Sequence, residues 1–251
     1  MTADYTRRFS KRADSYASYR PGYPAGIIPI LAQEVGFTSR QVVADIGSGT
    51  GLLTKVFLRN GNRVFGVEPN ARMRYYAVRD LGGFASFVSV GGTAEHTTLP
   101  GKSVDLVAVG QALHWFDLDR ATREFHRISK PGGSLCAVYN RRKNDALGRA
   151  YERVIRKHER DWAAVPGSSM KRLKHFFRDG EYTKFTVPNE QSLDFDGLLG
   201  RILSSSYMPP PDEGRDSSEL RRDILRVFED FSSNGRVKLS YRTDVYIGSI
   251  G

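Results

Sequence analysis

Cysteine is nearly missing from this sequence, because Cys136 is the only one among 251 residues. A single thiol excludes an intramolecular disulfide and any metal site built from several cysteines. Cys136 lies within the apolar run at 134–139, so we interpret it as a small buried hydrophobic residue.

Long hydrophobic runs are also missing. No stretch approaches the ~18–20 apolar residues that a membrane-spanning helix needs, and the run at 27–31 is interrupted by Pro29. The first eight residues are polar and lack the apolar region of a secretory signal peptide. We therefore expect a cytoplasmic protein without a membrane span.

Positive charge is in excess and unevenly distributed. The formal net charge is +10, with +3 in residues 1–20 and +7 in residues 141–180. Such clusters can attract an anionic substrate, an anionic membrane surface or nucleic acid, or they can form an ordinary solvated face. Aromatic residues between the basic ones at 171–177 keep nucleic acid among the alternatives, although no RNA-binding module signature accompanies them.

Residues 41–51 contain the most informative motif, in which an apolar run ends at Asp45 and is followed by Gly47, Gly49 and Gly51. An amphipathic stretch comes next, so the pattern predicts a strand, a glycine-rich turn and a helix. Glycine allows close approach of a ligand, and the helix N-terminus offers unpaired N–H groups. The spacing differs from the Gly-x-Gly-x-x-Gly dinucleotide fingerprint, which disfavours a nicotinamide-dependent dehydrogenase. A tight turn in some other α/β protein remains an alternative.

Alternating apolar and amphipathic segments predict the fold. Helical periodicity occurs at 70–81 and 118–128, and strands are predicted at 41–46, 63–68, 84–90, 104–109, 134–139, 182–187 and 239–247. We expect a single α/β domain over residues 1–251, with a doubly wound, Rossmann-like, mostly parallel seven-stranded sheet and helices on both faces. Two helical patterns at 188–237 predict an insertion on the substrate side before the last strand.

The glycine turn resembles motif I of class I S-adenosylmethionine-dependent methyltransferases. The segments at 9–24 and 111–117 resemble type 11 methyltransferases related to trans-aconitate methyltransferase. This resemblance implies S-adenosylmethionine as methyl donor, bound by a core at 41–140. It also implies that an N-terminal segment, residues 1–40, covers the donor and brings Tyr16, Tyr19 and Arg20 near donor or acceptor.

Ligands of open α/β sheets lie beyond the carboxyl ends of the strands, which locates the candidate donor contacts. Glu68 ends the second strand, where a carboxylate can accept both ribose hydroxyls. The resemblance implies that Asp45 lies near the donor's amino group and that residues 93–95 read the adenine. The predicted cofactor-binding residues are Tyr16, Arg20, Asp45, Gly47, Ser48, Gly49, Thr50, Gly51, Glu68, Pro69, Met73, Thr93, Ala94, Glu95, Gln111 and Ala112.

Acceptor contacts are predicted after the fourth strand and outside the core. The substrate-binding candidates are Tyr19, His114, Trp115, Arg141 and Tyr207, and no metal site is predicted. A carboxylate acceptor is ionised at neutral pH and needs no base, and Arg20 or Arg141 could orient it. For a hydroxyl or amine acceptor, His114 is the candidate catalytic base.

These patterns favour a methyltransferase that acts on a small molecule, with an acidic metabolite among the candidate acceptors. RNA or protein methylation is the enzymatic alternative, because residues 141–180 are basic. A non-catalytic protein that binds S-adenosylmethionine or S-adenosylhomocysteine is a third hypothesis.

Overall fold

The computed structural model describes residues 19–159, 170–205, 208 and 217–251. Its strands are β1 (Val42–Ile46), β2 (Arg63–Val67), β3 (Phe87–Val90), β4 (Val104–Gly110), β5 (Ser129–Arg142), β6 (Thr183–Leu193) and β7 (Val237–Ser249). Its helices are α1 (Ile27–Val35), α2 (Thr54–Arg59), α3 (Ala71–Leu81), α4 (Leu118–Ile128), α5 (Ala146–His158), α6 (Met170–His175), α7 (Phe195–Leu203) and α8 (Ser217–Phe231). Short 3₁₀ turns lie at Leu113–Trp115 and Arg178–Gly180.

The seven strands form one sheet in the order β3-β2-β1-β4-β5-β7-β6. β1 pairs in parallel with both β2 and β4, β2 pairs in parallel with β3, and β4 with β5. The chain order therefore reverses at β1 and β4, which is where ligands bind in open α/β sheets. The predicted Rossmann-like, mostly parallel sheet is confirmed.

Successive side chains of a strand point to opposite faces of the sheet. In the central strands both of these faces are buried. Val43, Leu106 and Cys136 pack with apolar residues of α1 and α2, whereas Ala44 and Val107 pack with residues of α4 and α6. Cys136 is fully buried, as expected, and burial raises the pKa of its thiol to about 12.

β5 and β6 extend furthest beyond their predicted limits. β5 begins at Ser129 and includes residues 130–133, although its strand was predicted to begin at 134. α4 does end at Ile128, but a register shift between Val104 and Leu106 lets the glycine-containing segment join the strand as an irregularity. β6 continues to Leu193, so the helices of the predicted insertion begin at α7.

The chain divides into two compact units. The core unit comprises residues 22–140, 166–187 and 243–251, and the second unit comprises residues 1–21, 141–165 and 188–242. Within the second unit, apolar side chains of α5, α7 and α8 pack together around residues such as Tyr151, Leu198 and Ile224. The assignment of residues 1–40 and 188–237 to donor covering and substrate binding stays a prediction.

Candidate functional site

The glycine turn after β1 has a backbone that only glycine adopts without strain. Gly47, Gly49 and Gly51 have φ values of +68°, +56° and +84°, in the left-handed region. A Cβ on Gly47 would lie 2.8 Å from the Cβ of Ala112, so the turn packs against the segment that follows β4. The amides of Gly47 and Ser48 both donate to the carbonyl of Val67, which fixes the turn against the end of β2.

Glu68, directly after β2, holds the turn through its side chain. Its Oε2 accepts from the amide of Gly49 at 3.0 Å, and its Oε1 accepts from the amide of Asn70 at 2.9 Å. Asn70 in turn caps α3 by accepting from the amides of Arg72 and Met73. Burial raises the pKa of Glu68, whereas the two backbone donors oppose that shift. Each carboxylate oxygen keeps acceptor capacity for a further partner.

The residues that follow Glu68 differ in their exposure. Pro69 is exposed, whereas Met73 is buried at the start of α3. The Arg74 guanidinium donates to the backbone carbonyls of Glu68 and Pro69, which stabilises the loop between β2 and α3.

Two buried oxygen atoms of the turn region lack a hydrogen-bond partner within the described residues. They are Oδ1 of Asp45 and Oγ1 of Thr50. The other Asp45 oxygen accepts from the Thr54 hydroxyl at 2.6 Å, at the start of α2. Buried polar atoms without partners are rare and call for an explanation, and a bound ligand is one.

The buried Asp45 predicts a pH dependence of stability. Burial raises its pKa to about 7, while the hydrogen bonds from Thr54 oppose the shift. Because the folded carboxyl binds its proton more tightly than the unfolded one, the free energy of unfolding should fall as pH rises from about 4 to about 7.

Asp45→Asn removes that titration and should reduce the decrease of the unfolding free energy with rising pH. The unfolding free energy of the variant minus that of the wild type should rise by up to about 1.4 kcal/mol per pH unit over this range. Urea denaturation of the ligand-free protein at a series of pH values measures it. A difference that is constant with pH would show that Asp45 is ionised throughout.

The loop after β3 is held by α4 at two points. Glu95 accepts from the amide of Asp117, the N-cap residue of α4, at 2.9 Å through Oε1. Glu124, in the second turn of α4, accepts from both the amide and the hydroxyl of Thr97. Hydrogen bonds from Arg127 and Thr97 lower the pKa of Glu124 to about 2 although partial burial opposes the shift, so this anchor is ionised. Glu95 was predicted to contact adenine, and its Oε2 is the oxygen left for that contact.

Three other predicted residues, which follow β3 and β4, have different environments. Thr93 is exposed and pairs through its backbone with His96, whereas Ala94 is buried in the core. Gln111, after β4, has φ +55°, which is uncommon for a residue with a side chain. Its amide donates to the carbonyl of Val138, which holds this conformation in place.

The segment after Gln111 contains both a core residue and candidate acceptor residues. Phe116 is buried, its ring packs on Phe125, and it faces Gly47, so it belongs to the core. His114 and Trp115 are half-buried, with ring centroids 4.7 Å apart. Burial, together with the nearby charge of Arg172, lowers the pKa of His114 to about 4, so the imidazole is neutral at pH 7.

Two residues of the core unit were not identified from the sequence. Arg172, on α6, donates to the carbonyl of Phe116 at 2.7 Å and so lies beside the His114 turn. The Tyr23 hydroxyl lies at the end of β4, 2.7 Å from where a Cβ of Gly110 would be. Nothing in the local sequence indicates either position, because both depend on segments that are distant along the chain.

Three of the remaining predicted residues, Tyr19, Arg20 and Arg141, belong to the second unit. The carbonyl of Tyr19 accepts from Gln191, and its ring packs on Gly200. Arg20 donates to the carbonyl of Ser204 at 2.9 Å, beyond the end of α7. Arg141 is half-buried at the end of β5. Tyr16 and Tyr207 lie outside the described residues, so their predicted roles stay predictions.

The groups around the turn match those that S-adenosylmethionine offers. The Thr50 hydroxyl can donate to a carboxylate, and the Asp45 oxygen can accept from an ammonium group. Glu68 retains acceptor capacity for a ribose diol, held in place by two backbone amides. These are the amino-acid and ribose ends of that molecule.

The described residues offer neither a cluster for a metal ion nor a membrane-spanning helix. Among the described residues, no group of three or more His, Cys, Asp and Glu side chains could hold a metal ion. No helix in the described part of the chain is both long and apolar enough to cross a membrane.

Comparison with known proteins identifies relatives over nearly the whole chain. The family described as "Methyltransferase domain" matches residues 44–137. An uncharacterised methyltransferase of Mycobacterium tuberculosis is 36% identical over 247 residues, which cover 96% of this chain and 94% of the relative.

Two further similarities are more partial or more distant. A malonyl-[acyl-carrier protein] O-methyltransferase of Yersinia pestis is 32% identical over 58% of this chain and 54% of the relative. A solved structure from Anaeromyxobacter dehalogenans, described as a proposed type II methyltransferase, superposes with a TM-score of 0.68 at 22% identity. It covers 92% of this chain and 98% of that one, and this similarity concerns the fold alone.

Proposed function

This chain belongs to the class I S-adenosylmethionine-dependent methyltransferases, and from that premise we propose that it methylates a small acidic molecule by direct in-line transfer. The donor follows from the family. The residues near the glycine turn bear on the identity of the acceptor.

The contact between the glycine turn and the segment after β4 carries the proposal. Gly47 packs on Ala112 and Phe116, and His114 and Trp115 lie between these two residues in the chain. A half-buried aromatic ring and a neutral imidazole suit a compact acceptor held close to the donor.

The chain's own residues would act mainly by positioning. When bound, S-adenosylmethionine supplies a methyl group on a sulfonium whose leaving group is already activated. Glu68 and Asp45 would fix the two ends of the donor, and the face of Trp115 could stabilise a sulfonium by cation–π attraction. Holding two reactants in line is worth effective molarities of about 10⁵ M or more, or roughly 7 kcal/mol of barrier.

An acidic acceptor fits this arrangement because it needs no base. A carboxylate is already ionised at neutral pH, and the Arg172 guanidinium lies beside the His114 turn. The relative from Yersinia pestis is named malonyl-[acyl-carrier protein] O-methyltransferase, and this name supports an oxygen acceptor.

Polyanion methylation is disfavoured by ion pairs within the basic segment. In the second unit, Lys157 pairs with Glu219 and Asp223, and Arg142 pairs with Glu152. These cations already have carboxylate partners, so they favour a structural role for part of that surface. The affinity for RNA should then be weak, and its decline with salt should be shallow.

Labelled S-adenosylmethionine distinguishes the three functions. A cell extract is separated into small molecules, RNA and protein, and each fraction is incubated with the enzyme. We expect label in the small-molecule fraction. Label only in RNA or protein would overturn the proposal, and tight donor binding without any transfer would favour the sensor hypothesis.

His114→Gln separates recognition from general-base catalysis. With a carboxylate acceptor, we expect KM for the acceptor to rise while kcat changes only severalfold. The kcat profiles of the variant and the wild type should run parallel above about pH 5.5, because the pKa of His114 is about 4. A general base would instead cost about 10²–10⁴ in kcat, which steady-state kinetics at saturating donor would reveal.

A further inference from the structure

A pair of buried nitrogen atoms lies beside the candidate acceptor site. Within the described residues, neither Nδ1 of His114 nor Nε of Arg172 has a hydrogen-bond partner, although both atoms are buried. Leaving a buried polar group unpaired destabilises the folded state, and more so when the group is charged. Two such atoms on neighbouring side chains point to one ligand that meets both.

The two residues are brought together by the fold. Arg172 lies on α6, and its NH2 group donates to the carbonyl of Phe116, one residue beyond the turn at Leu113–Trp115. That hydrogen bond fixes the guanidinium beside the turn that carries His114. Burial is the main cause of the lowered pKa of His114, and the charge of the nearby Arg172 lowers it further.

We propose that His114 and Arg172 form an anion subsite that binds a carboxylate group of the methyl acceptor. A guanidinium presents several N–H donors in a plane, which matches the two oxygens of a carboxylate. His114 in its Nδ1–H tautomer supplies a further donor without adding charge. The role of this subsite rests on the proposed function, because the two residues would recognise the acceptor of that reaction.

The location of the subsite relative to the glycine turn supports this role. Phe116 connects the two, because its ring faces Gly47 while its carbonyl accepts from Arg172. A carboxylate on the subsite would therefore be held close to the end of β4, at the same sheet edge as the donor turn. Binding there positions an acidic acceptor and selects against neutral analogues.

The test follows binding of succinate through the His114 imidazole signals in NMR spectra. The signals are assigned by their loss in His114→Gln, and dimethyl succinate is the uncharged control. We expect a saturable millimolar shift with succinate and none with its ester. Because every residue of the subsite lies in the core unit, the shift should appear with and without S-adenosylhomocysteine.

The variants decide whether Arg172 is responsible. Arg172→Gln should weaken succinate binding at least about tenfold, as expected for a lost charged hydrogen bond, and Arg172→Lys should restore part of it. Lys174→Gln removes an exposed charge from the same helix and should change the affinity less than twofold.

Each other result contradicts the subsite. No saturable shift, equal effects of Arg172→Gln and Lys174→Gln, or equal binding of the ester would overturn it. Calorimetric titration with S-adenosylhomocysteine on the same samples tests the proposed function separately. Donor-product binding without a succinate response would reject the subsite alone, whereas succinate binding without donor-product binding would reject the proposed function.

Discussion

Replacing Glu68 by alanine should weaken S-adenosylmethionine binding by roughly a hundredfold or more. A hydrogen bond to a charged group is worth about 1.5–3 kcal/mol, and the ribose diol would lose two of them at once. Glu68→Gln keeps one acceptor oxygen and should lie between alanine and the wild type. Isothermal titration with S-adenosylhomocysteine measures each affinity.

A structural role must be separated from ligand binding, because Glu68 also accepts from the amides of Gly49 and Asn70. Adenosine and 2′,3′-dideoxyadenosine therefore serve as competitors. The wild type should prefer adenosine, and Glu68→Gln should lose most of that preference. Glu181→Gln, at an exposed acid of the core unit, is the matched control. If the preference survives in Glu68→Gln, Glu68 supports the turn and does not bind ribose.

Replacing Gly47 by alanine should lower the free energy of unfolding by roughly 2–5 kcal/mol and abolish donor binding. Two costs combine, because φ is +68° and the new Cβ would lie 2.8 Å from the Cβ of Ala112. Urea denaturation and calorimetric titration measure the two losses.

Gly36→Ala is the matched control for the backbone cost alone. Gly36 ends α1 with φ +62°, and a Cβ there would meet nothing within 4 Å. That variant should lose about 1–2 kcal/mol of unfolding free energy and keep donor binding. Equal losses for the two variants would show that the turn is not packed against the segment after β4.

The sequence predicted the parts of the fold that local patterns encode. The glycine turn, the helix α3 and the apolar strands β1 and β4 all follow from local spacing and composition. The start of β5 was predicted wrongly, because Gly132 and Gly133 are turn residues in most contexts and here join a strand beside a register shift.

Site residues were predictable only where the local sequence identifies them. Glu68 could be predicted from its place after a strand, but its hydrogen bond to Gly49 depends on pairing between β1 and β2. Arg172 is 58 positions from His114 in the chain, and only the packing of α6 beside the turn after β4 brings them together. The lowered pKa of His114 was likewise invisible, because it results from burial.

Transfer of a labelled methyl group to a carboxylic acid tests the central claim most directly. The enzyme is incubated with methyl-labelled S-adenosylmethionine and an extract of small acids, and the products are treated with mild alkali. We expect alkali to release the label as volatile methanol, as a methyl ester does, and Glu68→Ala to abolish the incorporation. Label that resists alkali, or that enters only RNA or protein, would contradict methylation of a small acid.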